Sequence, residues 1–284
     1  NSPIGLRRTD RGINENLARE VLELHTLGVD GPYAQSDVQA LAGALTGFTE
    51  RLGQGTQFDI RQAEPGPFTI LGADFASGDR KPGDLRPLAR ALARHPVTAR
   101  HLATKLARHF VSDVPPADLV DHLTATYLET GGHLGRVTWA MLDHPASWDP
   151  ELRNVKWPME YVTSGLRAMG LPARVMQRMR ERRVRSLLAD PLAKMGQRWQ
   201  GAAGPDGIAE ADDRWITPQG LAARLEWALS APDQLLVRFP DPRQVLDDAL
   251  GGQAPQSLRF AVDSASLRSE GIALIFASPT FQRR

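Results

Sequence analysis

Two glutamates, a histidine and a lysine are the residues best spaced for acid and base chemistry. In NENLAREVLELHTLG, Asn16, Glu20 and Glu23 follow one another at four and three residues, so a helix there projects all three from one side. His25 lies about one turn beyond Val21 and Leu22, nearer the apolar edge. In HPVTARHLATKLARHF, Lys105 stands one turn from both His101 and His109. Carboxylates with an imidazole are the material of general acid and base catalysis or of a hard-metal site. A lysine desolvated between histidines would have a lowered pKa and act as a base or Schiff-base former. Glu20, Glu23, His25 and Lys105 are therefore the candidate catalytic set. The competing reading is structural: the glutamates solvate a helix face, His25 is a satisfied core residue, and Lys105 forms a salt bridge with Glu20 or Glu23. No recognised metal spacing such as HExxH occurs, and no metal ligands are assigned.

A second group is cationic. Arg174, Arg178, Arg180, Arg182, Arg183 and Arg185 form the most basic run, relieved only by Glu181. Arginine forks suit phosphate, sulfate or carboxylate. Met176, Met179, Val184, Leu187 and Leu188 make the run amphipathic, which also suits an anionic surface or a solvated helix over a core. Arg174, Arg178, Arg182 and Arg185, with Lys156 and Arg167 from the preceding segment, are the candidate anion- or partner-binding residues. Trp199 to Trp215 encloses a polar, glycine-rich stretch. Its GPDGIAEADD lacks the oxygen-ligand order of an EF-hand. Tryptophans beside such a loop either stack on the apolar faces of sugars or pin the loop to the core.

The elements that must position these groups are helical. Leu17, Val21, Leu24 and Leu27 recur at steps of three and four and predict a helix of about three turns with that stripe buried. Asn14 or Asn16 caps it, and Gly28 closes it in a left-handed conformation. The capping-box spacing of Ser36 to Gln39 predicts a second helix from about Asp37 to Thr46, with Val38, Leu41, Ala42 and Leu45 inward. Thr49 to Gly83 is aperiodic and reads as a long packed loop with a small hairpin pairing Phe58–Ile60 with Phe68–Leu71. Helical spacing resumes at Asp84 and continues through Pro96–Val111, Ala117–Thr130 and Leu134–Leu142. Pro158 suits a first helical turn. Thr217-Pro218 opens a helix to Leu229 that Ala231-Pro232 interrupts, and Asp241–Leu250 and Ser264–Ala277 supply two more. The expected fold class is all-α: an irregular array of about ten helices with two long loops and a minor β-hairpin. Its expected halves are residues 1–150 and 151–284.

The run from Asn14 to Phe48, NENLAREVLELHTLGVDGPYAQSDVQALAGALTGF, resembles the hallmark segment of a bacterial family catalogued as domain of unknown function 1800. HPVTARHLATKLARHFVSDVPP and VKWPMEYVTSGLRAMG are similar to its second and third signatures. GQRWQGAAGPDGI resembles its tryptophan and glycine loop, and ALIFASPTFQRR its C-terminus. The resemblance implies an exported, periplasmic or extracellular protein, and carries no established activity. It implies a longer precursor whose C-terminal part this is, with an N-terminal portion of that precursor and an exported sulfatase- or phosphatase-like protein as partners. The chain departs from the family pattern in FDIRQAEPGPFTILG, where Gln62, Ala63, Glu64 and Phe68 replace a histidine-aspartate pair and a lysine often found there.

Composition narrows the classes. With 284 residues, 42% hydrophobic and 24% charged, the chain can bury a real core. Its 34 basic and 33 acidic residues give a formal charge of +1 and no global pull on nucleic acid or membranes. The absence of cysteine excludes disulfides and thiolate chemistry. No apolar run approaches a bilayer span, and NSPIGLRRTDRG lacks the apolar centre of a signal peptide. No nucleotide loop, GxSxG elbow or nucleic-acid signature appears, and no cofactor is indicated.

Three functions remain. The first is a binding or assembly module for a cell-envelope partner or anionic glycan, presenting a broad surface around Arg174–Arg185 without a deep polar pocket. The second is a hydrolase or oxidoreductase built on Glu20, Glu23, His25 and Lys105. The third is a structural part of a longer protein whose active residues lie elsewhere.

Overall fold

The computed structural model describes residues 13–51, 53–76, 80–202 and 204–284. It is 59% helical, and its sheets among the described residues are two small antiparallel hairpins, so the fold is mainly all-α as expected. The chain divides into two compact units, 1–107 with 115–147, and 108–114 with 148–284.

The first unit opens with α1 (Asn16–Glu20), which widens into a π-helical segment over Val21–Thr26. Its buried positions are Ala18, Leu22 and Leu27, while Leu17 is 55% exposed and Val21 and Leu24 are half-buried. Leu27 is buried as expected, and upstream of it the core-facing stripe is turned by one residue, onto Ala18 and Leu22. The spacing of Ala18, Leu22 and Leu27 fits a helix that adds a residue to its last turn, since a π-turn bonds i to i+5. Gly28 ends the segment at φ 88°, and an added Cβ would meet His101 Nδ1 at 2.9 Å.

In α2 (Gln35–Leu45), Val38, Leu41 and Ala42 are buried as expected, with Leu45 half-buried. The start differs: the Ala34 amide donates to Asp37 Oδ2 at 2.7 Å, and Asp37 Oδ1 accepts from the Leu71 amide at 2.8 Å. Asp37 thereby ties the helix start to the loop that follows. That loop holds two hairpins in place of the one expected: β1 (Phe48–Arg51) with β2 (Gly55–Phe58), and β3 (Phe68–Ile70) with β4 (Ala73–Phe75). Each strand pairs with its neighbour across a short turn, which costs less loop closure than the longer-range pairing expected. Arg80 is the post around which they fold, donating to the Glu64 carbonyl at 2.7 Å and the Ala44 carbonyl at 2.6 Å under the rings of Phe58 and Phe68. Four helices follow: α3 (Leu85–Ala93), α4 (Pro96–Phe110), α5 (Ala117–Glu129) and α6 (Leu134–Asp143). Through α4 it is Thr98, Ala99, Ala103 and Ala107 that are buried.

In the second unit α7 (Pro158–Ala168) has Pro158 in its first turn, and the Trp157 amide donates to Glu160 Oε2 at 2.9 Å. The arginine-rich stretch forms short pieces: α8 (Ala173–Gln177), α9 (Glu181–Val184), a π-helical segment Arg185–Ala189 and α10 (Asp190–Lys194). Then α11 (Pro218–Leu235) runs straight through Pro232, contrary to the expected interruption. Pro232 lies in the last turn and is buried with Ala231 and Leu235, so packing offsets the missing N–H bond. After α12 (Pro242–Leu250) comes α13 (Gln256–Asp263), where no helix was expected, and the helix expected over Ser264–Ala277 is α14 (Arg268–Ala277), which starts four residues later. Leu267 starts the second, with its amide on Glu270 Oε2 at 3.2 Å.

The core of this unit is aromatic. α14 packs along α11, and Tyr161, Trp227, Phe276 and Phe281 meet with ring centroids 4.9 to 5.9 Å apart. Such pairs add about 0.5–1.5 kcal/mol each beyond the area they bury. Gly165 makes room for them: a Cβ there would meet Trp227 Cη2 at 2.7 Å.

Candidate functional site

The residues proposed for catalysis do not assemble. Glu23 is held by its neighbour Arg19 at 3.1 Å, and Arg19 also reaches Glu15 and Gln35 in an ordinary helix-surface network. Glu20 is half-buried, while His25 and Lys105 are exposed. The expected salt bridge from Lys105 to Glu20 or Glu23 is not formed, because Arg19 stands four residues from Glu23 on the same helix and takes it first. His101 turns its Nε2 toward the Leu24 carbonyl at 3.4 Å, and burial pulls its pKa down. Among the described residues no group of three or more His, Asp or Glu is placed to hold a metal ion.

The basic candidates separate into two kinds. Arg174, Arg178 and Arg182 are exposed on the short helices α8 and α9 and their junction, and Arg185, also exposed, lies 3.5 Å from Asp190. Arg167 is exposed on α7. Lys156 is different. Its Nζ sits 4.0 Å from the centroid of the Phe281 ring, and burial lowers its pKa to about 8 against the pull of Glu160 and with a push from Arg224. Arg224 is fully buried, donates from Nη2 to the Lys156 carbonyl at 2.7 Å, and stacks over Tyr161.

Four of the five stretches that carry the family resemblance meet in the second unit. Asn154 Nδ2 donates to the Arg108 carbonyl at 3.0 Å and the His109 carbonyl at 3.3 Å, satisfying the end of α4. The Val155 amide donates to Asp212 Oδ1 at 2.8 Å, and the Asp212 amide to Asp113 Oδ2 at 3.2 Å. Burial raises the Asp212 pKa, with the nearby Asp113 acting in the same direction and the Val155 amide opposing. Val155 bridges Arg283 in antiparallel fashion, and Arg284 closes on Glu160 at 3.0 Å. The Met159 amide donates to the buried Gln197 Oε1 at 2.7 Å, which fixes the start of the tryptophan and glycine loop.

These ties leave a groove of about 450 Å³, within the ordinary range of small-molecule sites. His109, Trp157, Glu160, Gln197, Arg198 and Trp199 line it. His109 Nδ1 lies 3.0 Å from Glu210 Oε2, with both side chains partly open to solvent, and its ring meets Trp157 edge-on at 5.3 Å. Trp215 is buried and donates from Nε1 to the Ala209 carbonyl at 3.0 Å, so it pins the loop, whereas Trp199 is 65% exposed. Trp215 thus takes the pinning role, and Trp199 keeps an exposed indole.

This groove went unread in the sequence. His109 was visible only as a neighbour of Lys105, and Glu210 only as one acid of a glycine-rich loop 101 residues away in the chain. The signal that could have joined them was the shared membership of His109, Trp157 and Trp199 in separate signature stretches. No curated protein and no solved structure matches the chain. The family model described as "Protein of unknown function (DUF1800)" matches residues 3–283, and the chain belongs to that family.

Proposed function

We propose that this chain is a binding module of the cell envelope, exported as the family resemblance implies, and that it takes an acidic glycan in the groove lined by Trp157 and Trp199. One observation carries the reading: Trp199 presents an exposed indole beside polar groups of mixed donor and acceptor character, His109, Gln197 and Arg198. Indole offers an apolar face to the C–H side of a sugar ring, while the polar groups fix the hydroxyls. Arg198 supplies a fork for a carboxylate. The exposed arginines 174, 178 and 182 extend the positive surface for the rest of a polymer.

The test is titration with oligogalacturonides, followed by tryptophan emission and calorimetry. Trp199→Ala should weaken binding about tenfold, the upper end for loss of one stacked ring. Replacing Arg178, Arg182 and Arg185 with glutamine should weaken longer oligomers and flatten the salt dependence. Absence of saturable binding by the unmodified protein would remove the proposal.

A further inference from the structure

Beside the groove lies a second cavity of different character. It measures about 290 Å³ and is walled by Leu166 from α7 and by Met176, Val184 and Leu188 from the arginine-rich stretch. Thr163 is the one residue with a side-chain polar group other than the Trp199 indole on its wall. The two cavities share Met159, Leu192 and Trp199, so Trp199 stands between an apolar chamber and the groove that His109, Gln197 and Arg198 line. An apolar chamber of this kind holds hydrocarbon in preference to water, which would find too few partners there.

The rim of the chamber has a charge. Met176 and Val184 face inward from two short helices that, with their junction, carry Arg174, Arg178, Arg180, Arg182 and Arg183 at exposed positions. Glu181 is the one acid in that stretch. Arg183 spends one guanidinium nitrogen on the Gln234 carbonyl at 2.7 Å, and Arg185 is near Asp190, but the remaining arginines face solvent. An uncharged hydrophobic ligand would gain nothing from such a rim, whereas a chain ending in an anionic head is drawn to it.

We infer that the ligand is an anionic glycolipid, with its aliphatic chain in the Leu166, Met176, Val184 and Leu188 chamber and its acidic sugar in the groove across Trp199. The inference rests on the glycan reading of the groove and adds the chain. The wall of Met159, Leu192 and Trp199 that the two cavities share sets them side by side, within reach of the head and tail of one molecule, and the basic rim selects the sign of the head.

Methyl and octyl β-D-glucuronide separate the two ideas by calorimetry, below the micellar concentration of the octyl compound. The octyl glucuronide should bind about a hundredfold tighter or better, since each buried methylene contributes roughly fourfold. Octyl β-D-glucoside, with the same chain and a neutral head, should bind at least about tenfold more weakly than octyl glucuronide. Ala189→Phe, which fills the chamber from a residue outside the groove, should erase the advantage of the octyl chain and leave methyl glucuronide unchanged. Should that variant fail to fold, the comparison of methyl, butyl and octyl glucuronides on the unmodified protein decides the matter alone. Equal binding of methyl and octyl glucuronides would overturn the glycolipid and leave the glycan reading standing. Equal binding of octyl glucoside and octyl glucuronide would overturn the anionic head. No binding of any glucuronide would remove both readings.

Discussion

Replacing Lys156 with methionine should make the protein more stable at neutral pH and leave it unchanged at high pH. Burial takes the Lys156 pKa from 10.5 to about 8. Between those values the unfolded chain binds a proton that the folded chain does not, so stability climbs with pH across that window. Below about pH 8 the folded protein carries the full cost of a desolvated ammonium group. A gap of about 2.5 pH units corresponds to at most ~3 kcal/mol. The amine is only partly buried, and solvent screening reduces this to about half. Its stacking on Phe281 at 4.0 Å returns about 0.5–1 kcal/mol. Methionine keeps the stem, fills the same space beside the aromatic cluster, and also removes the repulsion from Arg224. The net expectation is a gain of about 1 kcal/mol at pH 7 that disappears above about pH 10.5. Urea unfolding at pH 7, 9 and 10.5, read by tryptophan emission, measures it. A variant less stable than the parent at pH 7, or a difference that does not vary with pH, would refute the reasoning.

Three further perturbations probe other parts of the structure. Gly165→Ala should lower stability by about 1–3 kcal/mol, because the new methyl meets Trp227 at 2.7 Å and overpacks the aromatic core; calorimetric unfolding would show the loss. Arg80→Met should cost about 2–4 kcal/mol, since the carbonyls of Ala44 and Glu64 lose their donors in a buried place. Faster amide exchange in β1 to β4 would accompany it. His101 has a folded pKa below its ordinary value, so the stability it contributes is present above about pH 6.5 and is lost as the pH falls through the folded pKa. His101→Gln should therefore flatten the acid limb of a stability curve below about pH 6.5 without shifting the curve above pH 7.

Periodicity revealed where helices lie better than which way they face. α5 buries Leu119, Val120, Leu123 and Tyr127, and an uninterrupted stripe of large side chains made that face unambiguous. In α1 Leu27 was read correctly, but upstream of it the stripe was misread by one residue, because Leu17 and Leu22 are equally apolar and only the π-turn decides between them. In α4 the buried face is made of three alanines and Thr98, small side chains that mark no stripe by size. The continuation through Pro232 is a tertiary outcome in which packing overrides local propensity, and α13, ahead of Ser264, went unread. Chemistry was less legible than fold. Spacing along one helix drew together Glu20, Glu23 and His25, whereas the groove joins His109, Trp157 and Gln197 from segments far apart in the chain, with Glu210 held against His109. Local pattern carries no information on such a meeting. The arginines were correctly read as an exposed basic stretch, but the chamber beneath them depends on Leu166 and Trp199 from outside it.

The central claim is that a ligand-binding groove opens between Trp157 and Trp199. Its most direct test follows the indole N–H resonances of the six tryptophans while methyl β-D-glucuronide is added. Saturable shifts at Trp199 and Trp157, with Trp227 unmoved in the core, are what the groove requires. Shifts absent at both, or confined to tryptophans outside the groove such as Trp139 and Trp148, would contradict it.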